Sequence, residues 1–233
     1  MSDSVVISLD AMGGDNAPEM VVRGAAIAQV RLPHIRFLMV GDEAQLAPLL
    51  AEQPNLAAVT TMRHTEDVVS SSEKPSVALR SGRNSSMRLA INAVADGEAA
   101  SVVSAGNTGA LMAIAKFVLK MLPGIDRPAI TSFYPTRSGE SCMLDLGANL
   151  QCDANNLVQF AVMGEVFART ALGIETPTIG LLNVGVEDQK GHEEIREAAA
   201  ILRGADLPGE FVGFIEGDDI AAGSVDVVGT DGF

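Results

Sequence analysis

Short apolar runs that end in polar, glycine-bearing loops recur along this chain, and most of the loops lead into a segment of helical character. The first example is the fullest. Val5-Val6-Ile7-Ser8-Leu9 feeds Asp10-Ala11-Met12-Gly13-Gly14-Asp15-Asn16-Ala17-Pro18, and a helical pattern runs from Glu19 to Val30. Strand, loop and helix in that order place the loop at the carboxyl end of a strand, where open α/β sheets build their sites. Gly13 and Gly14 lack a Cβ, so the backbone there can take positive φ and approach a ligand closely. Pro18 suits the first position of a helix, whose free N–H groups favour an anion. Asp10 and Asp15 would repel that anion unless they orient the loop or accept protons and hydrogen bonds. Read structurally, the same stretch is a tight turn with an aspartate on each side.

The pattern continues. Arg36 to Gly41 reads as a second strand, followed by Asp42 as an N-cap and a helix that Pro48 should kink or end. A third strand is expected near Ala57 to Met62, then a polar loop from Arg63 to Pro75 with Ser70-Ser71-Ser72 at its centre, and a helix from Ser76 to Val94. Lys74, Arg80, Arg83 and Arg88 lie on this helix and its entry with no acidic residue between Lys74 and Val94. They form either a solvated helix face or a docking surface for an acidic partner. Ala100 to Val103 is a buried-strand pattern that ends in Ser104-Ala105-Gly106-Asn107-Thr108-Gly109, with a helix from Ala110 to Met121. Ser104, Asn107 and Thr108 offer donors at the positive end of that helix, suited to a phosphate or a developing oxyanion, or simply to capping.

After Pro123-Gly124, Ala129 to Tyr134 and Cys142 to Leu146 read as strands joined by a connection too short for a parallel crossover, hence an antiparallel hairpin that could serve as an arm for dimerisation. Asp145-Leu146-Gly147-Ala148-Asn149 is a further strand-end loop, and Ala154 to Leu172 a helix apolar almost all round. Thr178 to Gly185 is a strand running into a loop that holds Lys190 and His192, before a helix from Glu193 to Arg203. A helix dipole disfavours a cation at Lys190, and anion binding supplies a reason for it. Strands at Phe211 to Ile215 and Val225 to Val228 close the pattern, with Gly229-Thr230-Asp231-Gly232-Phe233 as the last loop. The fold class is therefore α/β: a three-layer α/β/α sandwich with a mostly parallel sheet and one antiparallel hairpin, a single domain of two lobes at about 1–125 and 126–233. If the strands are parallel, loops 10–18, 104–109, 145–149, 183–192 and 229–232 converge on one edge.

Composition narrows the function. In 233 residues, 16 Lys plus Arg face 30 Asp plus Glu, a net charge of −14, which argues against nucleic-acid binding and a broadly basic membrane face. Cys142 and Cys152 form no metal-ligand or CxxC pattern. No run approaches the ~18 apolar residues of a membrane span, so a cytoplasmic protein is expected. A dinucleotide fingerprint, a P-loop and a GxSxG elbow are all missing, and covalent catalysis is poorly supported.

Six motifs in order carry a resemblance that covers the whole chain: Asp10-Ala-Met-Gly-Gly-Asp15, Ser85-Ser-Met-Arg88, Val103-Ser-Ala-Gly-Asn-Thr-Gly-Ala-Leu-Met112, Leu144-Asp-Leu-Gly-Ala-Asn149, Leu182-Asn-Val-Gly185 with Lys190-Gly191, and Thr230-Asp-Gly-Phe233. The chain resembles the bacterial phosphate acyltransferases of the PlsX type. The resemblance implies transfer of a fatty acyl group from acyl-carrier protein to inorganic phosphate, giving acyl phosphate for phospholipid synthesis. It implies a homodimer and a relationship to phosphotransacetylases and to the isocitrate/isopropylmalate dehydrogenase fold, and it leaves peripheral membrane association open. Val186 stands where the family usually has an acidic residue, and the family's chains continue beyond Phe233, so a C-terminal part is expected to be lacking.

The chemistry fits the inventory. Phosphate attacks a thioester and a thiolate leaves, so neither a protein nucleophile nor a metal or other cofactor is required. Gly13, Gly14, Ser104, Gly106, Asn107, Thr108, Asn149 and Asn183 are the candidates for phosphate or oxyanion binding. Lys190 is the candidate cation; Asp10, Asp15 and Asp231 would orient loops or handle protons; Lys74, Arg80, Arg83 and Arg88 would dock the carrier protein. Two rivals stand beside this reading: a metal-dependent dehydrogenase of the same fold, and a non-catalytic module that binds phosphate or carrier.

Overall fold

The computed structural model describes residues 4–233. Contacts divide the chain into two compact units, Met1–Lys120 and Met121–Phe233. The first holds strands β1 (Val5–Asp10), β2 (Ile35–Gly41), β3 (Thr60–His64) and β4 (Ser101–Val103) in one sheet of order β3-β2-β1-β4, parallel throughout. Helices α1 (Glu19–Arg31), α2 (Glu43–Ala51) and α3 (Pro54–Ala57) cover one face; α5 (Ser86–Ala95) covers the other. The period of two in the strands explains this layering. Leu9, Phe37 and Met39 meet the core under α1 to α3, whereas Leu38 and Val40 meet Ala90 and Ala93 of α5. The remaining helices of this unit are α4 (Pro75–Ser81) and α6 (Thr108–Leu119).

The second unit has its own sheet. Strands β5 (Thr131–Thr136), β6 (Gly139–Leu144), β7 (Thr178–Leu182), β8 (Glu210–Ile215) and β9 (Val227–Gly229) lie in the order β5-β6-β9-β7-β8, with only β5 and β6 antiparallel. Helices α7 (Ala154–Phe167) and α8 (Glu193–Gly204) build its main core, and α9 (Gly217–Ala222) packs with Ile220 toward the opposite cluster. Helix α8 shows the cause most plainly. Ile195, Ala198, Ala199 and Leu202 recur at helical spacing and are buried, while the acidic and basic residues between them face water.

Several expectations change. The strands form two sheets, so the loops at their ends belong to two separate sets. The single helix from 76 to 94 is two, because Gly82 ends α4 and the Ser85 hydroxyl, accepting from Arg88 N at 3.3 Å, starts α5. Pro48 does not end α2, since Leu46 and Leu50 are both buried and packing carries the helix past it. The third strand begins only at Thr60, because Pro54 opens the short α3 first. The hairpin is no free arm: β6 pairs in parallel with β9 and lies inside the sheet. The last turn of the long helix widens to a π pattern over Ala168–Leu172 and stops at Gly173, whose φ is +70°.

Candidate functional site

In the first unit, β1 and β4 are hydrogen-bonded neighbours, so the loops that leave them meet. The contact is close enough to require glycine. A Cβ on Gly106 would lie 3.3 Å from Gly13 Cα and 2.9 Å from Met87 Cε, and one on Gly13 would fall on Asp10 Oδ2 and 2.9 Å from Ser104 Oγ. Gly14 sits at φ +105°, where a side chain is strained in any surroundings. Asp10 is 2% exposed and accepts from Ser86 Oγ at 2.6 Å and Ser104 Oγ at 2.7 Å. Ser104 Oγ in turn accepts from Gly106 N at 3.1 Å. Asp10 is thus the buried post on which both loops are hung.

A cavity of about 560 Å³ opens beside this junction, within the range of small-molecule sites. Met12, Gly14 and Asp15 line it on one side, and Ala105 to Gly109 with the amino end of α6 on another. The third wall is Val68 to Ser71, from the stretch the sequence offers only as a polar loop. Nothing local marks that segment as part of a site; a long-range contact from Asn107 brings it there. At the start of α6 the N–H groups of Thr108 and Gly109 precede the first intrahelical bond and point outward from the positive end of the helix. Asp15 is the one charged residue in the lining, and no lysine or arginine is among the lining residues. The groups this lining can offer an anion are backbone dipoles and hydroxyls.

The second unit brings a different set together. Asp145, 1% exposed, accepts from Ile130 N at 2.7 Å, Asn149 N at 2.6 Å and Asn149 Nδ2 at 3.0 Å. The last loop lies against this one: Gly232 N donates to Asn149 O at 2.9 Å, and a Cβ on Gly232 would come within 2.8 Å of Gly147 Cα. Asp231 accepts from Phe233 N at 3.3 Å and raises the pKa of the Cys152 thiol, an effect smaller than that of burial but larger than that of Asp145. Lys190 is exposed in the loop before α8, where its N–H donates to Glu187 O at 2.9 Å. His192 precedes α8 and contacts Glu194 at 2.9 Å without capping the helix.

The three asparagines change their meaning. Each was expected to offer an amide donor to an anion, and in each the donor is engaged inside the protein. Asn107 Nδ2 donates to Ser70 O, Ser71 O and Glu73 O at 3.2, 3.0 and 2.8 Å. Asn149 Nδ2 reaches Pro128 O at 2.9 Å as well as Asp145. Asn183 Nδ2 closes its own loop on Gly185 O and Lys190 O at 3.1 and 3.2 Å. Loop carbonyls need donors, and an asparagine supplies two hydrogens on one short side chain. The basic group also divides. Lys74, Arg80 and Arg83 are exposed, whereas Arg88 bonds Asn92 Oδ1 at 3.1 Å and lies 5.6 Å over the Phe117 ring. Among the described residues, no cluster of three or more His, Cys, Asp or Glu side chains is placed to hold a metal ion, and no helix is long and apolar enough to cross a membrane.

The two units have the fold of the phosphotransacylases. The EutD phosphotransacetylase from Staphylococcus aureus matches 97% of this chain and 77% of its own length, with TM-score 0.66 and 17% identity. A branched-chain phosphotransacylase from Enterococcus faecalis matches with TM-score 0.59 and 14% identity, over 96% and 78%. In sequence, residues 5–233 match the model of the family described as "Fatty acid synthesis protein", and the chain belongs to that family. Its relatives include proteins named phosphate acyltransferase from Rhodospirillum centenum, 69% identical over 233 residues, and Paramagnetospirillum magneticum, 62% identical. Each match covers 100% of this chain and 66% of the relative, so the chain spans about two thirds of their length.

Proposed function

We propose that this protein transfers a fatty acyl group from acyl-carrier protein to inorganic phosphate, and that the acyl phosphate formed serves phospholipid synthesis. The observation that carries the reading is the 69% identity to a relative named phosphate acyltransferase. The cavity of the first unit supports it, because Gly14 and Ala105 to Gly109 line it with backbone that can offer N–H groups to an anion. A phosphate oxygen attacks the thioester carbonyl; the tetrahedral intermediate collapses, the C–S bond breaks, and the thiolate leaves. Thiolate is a good leaving group, so the protein's task is to align two substrates and stabilise an oxyanion, effects worth about 7–11 and about 3–4 kcal/mol. The backbone N–H groups of Gly14 and of the start of α6 hold phosphate or oxyanion, with the Thr108 hydroxyl beside them, whereas the Gly13 N–H donates to Asp10 O at 3.4 Å and shapes the loop. Asp10 and Ser104 fix the loops, and Asp15 faces the pocket as the proton-handling carboxylate. Lys190 and Asp231 are the cation and carboxylate of the second unit's own strand-end loops. Lys74, Arg80 and Arg83 form the docking face for the acidic carrier. A cytoplasmic homodimer able to associate with a membrane surface completes the proposal, together with the kinship to the isocitrate/isopropylmalate dehydrogenase fold that the motif resemblance implies.

One assay tests it: acyl phosphate formation from acyl-carrier protein and inorganic phosphate, with and without Mg²⁺. Formation without a metal requirement supports the reading. Mg²⁺-dependent nicotinamide reduction would make the protein a dehydrogenase, and phosphate binding without turnover would make it a binding module.

A further inference from the structure

The loop that walls the cavity opposite Gly14 is held in an uneven way. Its leading end is anchored by Val69, 5% exposed, in the cluster with Ala78, Met87 and Ile114. Its trailing end is anchored where Pro75 packs on Gly109, whose Cβ would lie 2.8 Å from Pro75 Cγ. Between them, Ser70 to Glu73 is a tight turn with Glu73 N donating to Ser70 O at 3.1 Å, and its carbonyls face Asn107. Two amide hydrogens shared among three carbonyls make a single point of attachment. The same side chain looks the other way as well: Asn107 Oδ1 accepts from Ala110 N at 3.0 Å and caps α6.

We infer that Asn107 is a positioning residue that fixes the width of the anion pocket, by tying the serine loop to the helix end whose N–H groups receive the anion. This rests on the reading of that cavity as the phosphate site. Capping and clamping are separate functions of one side chain, done by different atoms, and chemistry can part them. An aspartate keeps an acceptor for Ala110 N and suits the helix dipole, but as a carboxylate it has nothing to donate and repels the loop carbonyls. Alanine loses both.

The test uses N107D and N107A in the whole chain. Three quantities are followed: the melting temperature, hydrogen exchange of amides 68–73, and the Kd of inorganic phosphate by calorimetry without acyl donor. N107D should melt close to the parent, yet exchange at 68–73 and the phosphate Kd should each rise about tenfold. N107A should show the same two changes together with a lower melting temperature. Unchanged exchange and Kd in N107D would reduce Asn107 to a cap and overturn the inference. Faster exchange with an unchanged Kd would overturn it too, because the loop would then be held but would not matter to the anion. Parent protein that binds phosphate yet makes no acyl phosphate would count against the proposed reaction and leave the clamp to be judged by these measurements.

Discussion

The Ser104 hydroxyl donates to Asp10 Oδ2 at 2.7 Å across 94 positions of sequence, and this bond joins the two loops that build the first unit's cavity. Ser86 holds the other oxygen at 2.6 Å. Hydrogen bonds to a charged group are worth about 1.5–3 kcal/mol each, and Asp10→Ala leaves the buried Ser86 hydroxyl and the half-buried Ser104 hydroxyl without their acceptor. The variant should be less stable by about 2–4 kcal/mol in urea unfolding. Asp10→Asn should lose less, because its amide oxygen still serves one serine. Stability equal to the parent in both variants would remove Asp10 from its role as the post.

Two helical glycines should respond to alanine with opposite signs. A Cβ on Gly24 in α1 meets nothing within 4 Å, so Gly24→Ala should stabilise the protein by about 0.5–1 kcal/mol through reduced backbone entropy. A Cβ on Gly164 in α7 would lie 2.5 Å from Val227 Cγ1 and 2.9 Å from Leu144 Cδ1. Gly164→Ala should therefore cost about 1–3 kcal/mol by overpacking. Chemical denaturation of the two variants side by side decides it; matching signs would contradict the packing of α7 on β6 and β9.

Cys152 should be a slow nucleophile. Burial, and after it the charges of Asp231 and Asp145, push its thiol above the ordinary range, and only the thiolate reacts. Removing the larger of the two charge effects with Asp231→Asn lowers that pKa, raises the thiolate fraction near pH 8, and should speed alkylation of Cys152 by iodoacetamide. Cys142 is fully buried and its thiol is raised by burial, so it should label only on unfolding. Mass spectrometry of the labelled peptides reads both, and an Asp231→Asn rate equal to the parent's would place the carboxylate away from the sulfur.

Reversing charge at Lys74, Arg80 and Arg83 together should weaken acyl-carrier-protein binding by about tenfold at low salt and flatten its salt dependence. Turnover of a small acyl thioester should not change. Arg88→Glu should behave differently and lower stability, since its guanidinium lies over the Phe117 ring and bonds Asn92. If the triple reversal slows both substrates alike, those residues belong to the fold or the site and not to a docking face.

The sequence by itself determined the local units. Apolar period and turn chemistry act over a few residues, which is why the run into Asp10, the Asp42 cap, the short hairpin connection and the stripe on α8 are all readable in one dimension. Glycine at 13 and 14 likewise announces a close backbone approach before any partner is known. Tertiary structure alone decided what each polar group is free to do. The Asn107 donor meets carbonyls 34 to 37 positions away, so no spacing rule could tell a clamp from a ligand. The same holds for Val225, Val227 and Val228. They are at most 4% exposed, but on opposite sides: Val225 and Val228 pack with Ile215, Met143 and Ile220, whereas Val227 joins the core built by α7 and α8. Arg88 reads as one of four surface cations until Phe117, on another helix, takes its guanidinium. Secondary structure follows from interactions a few residues long. The availability of a donor, a charge or an apolar face is set by what the fold brings beside it.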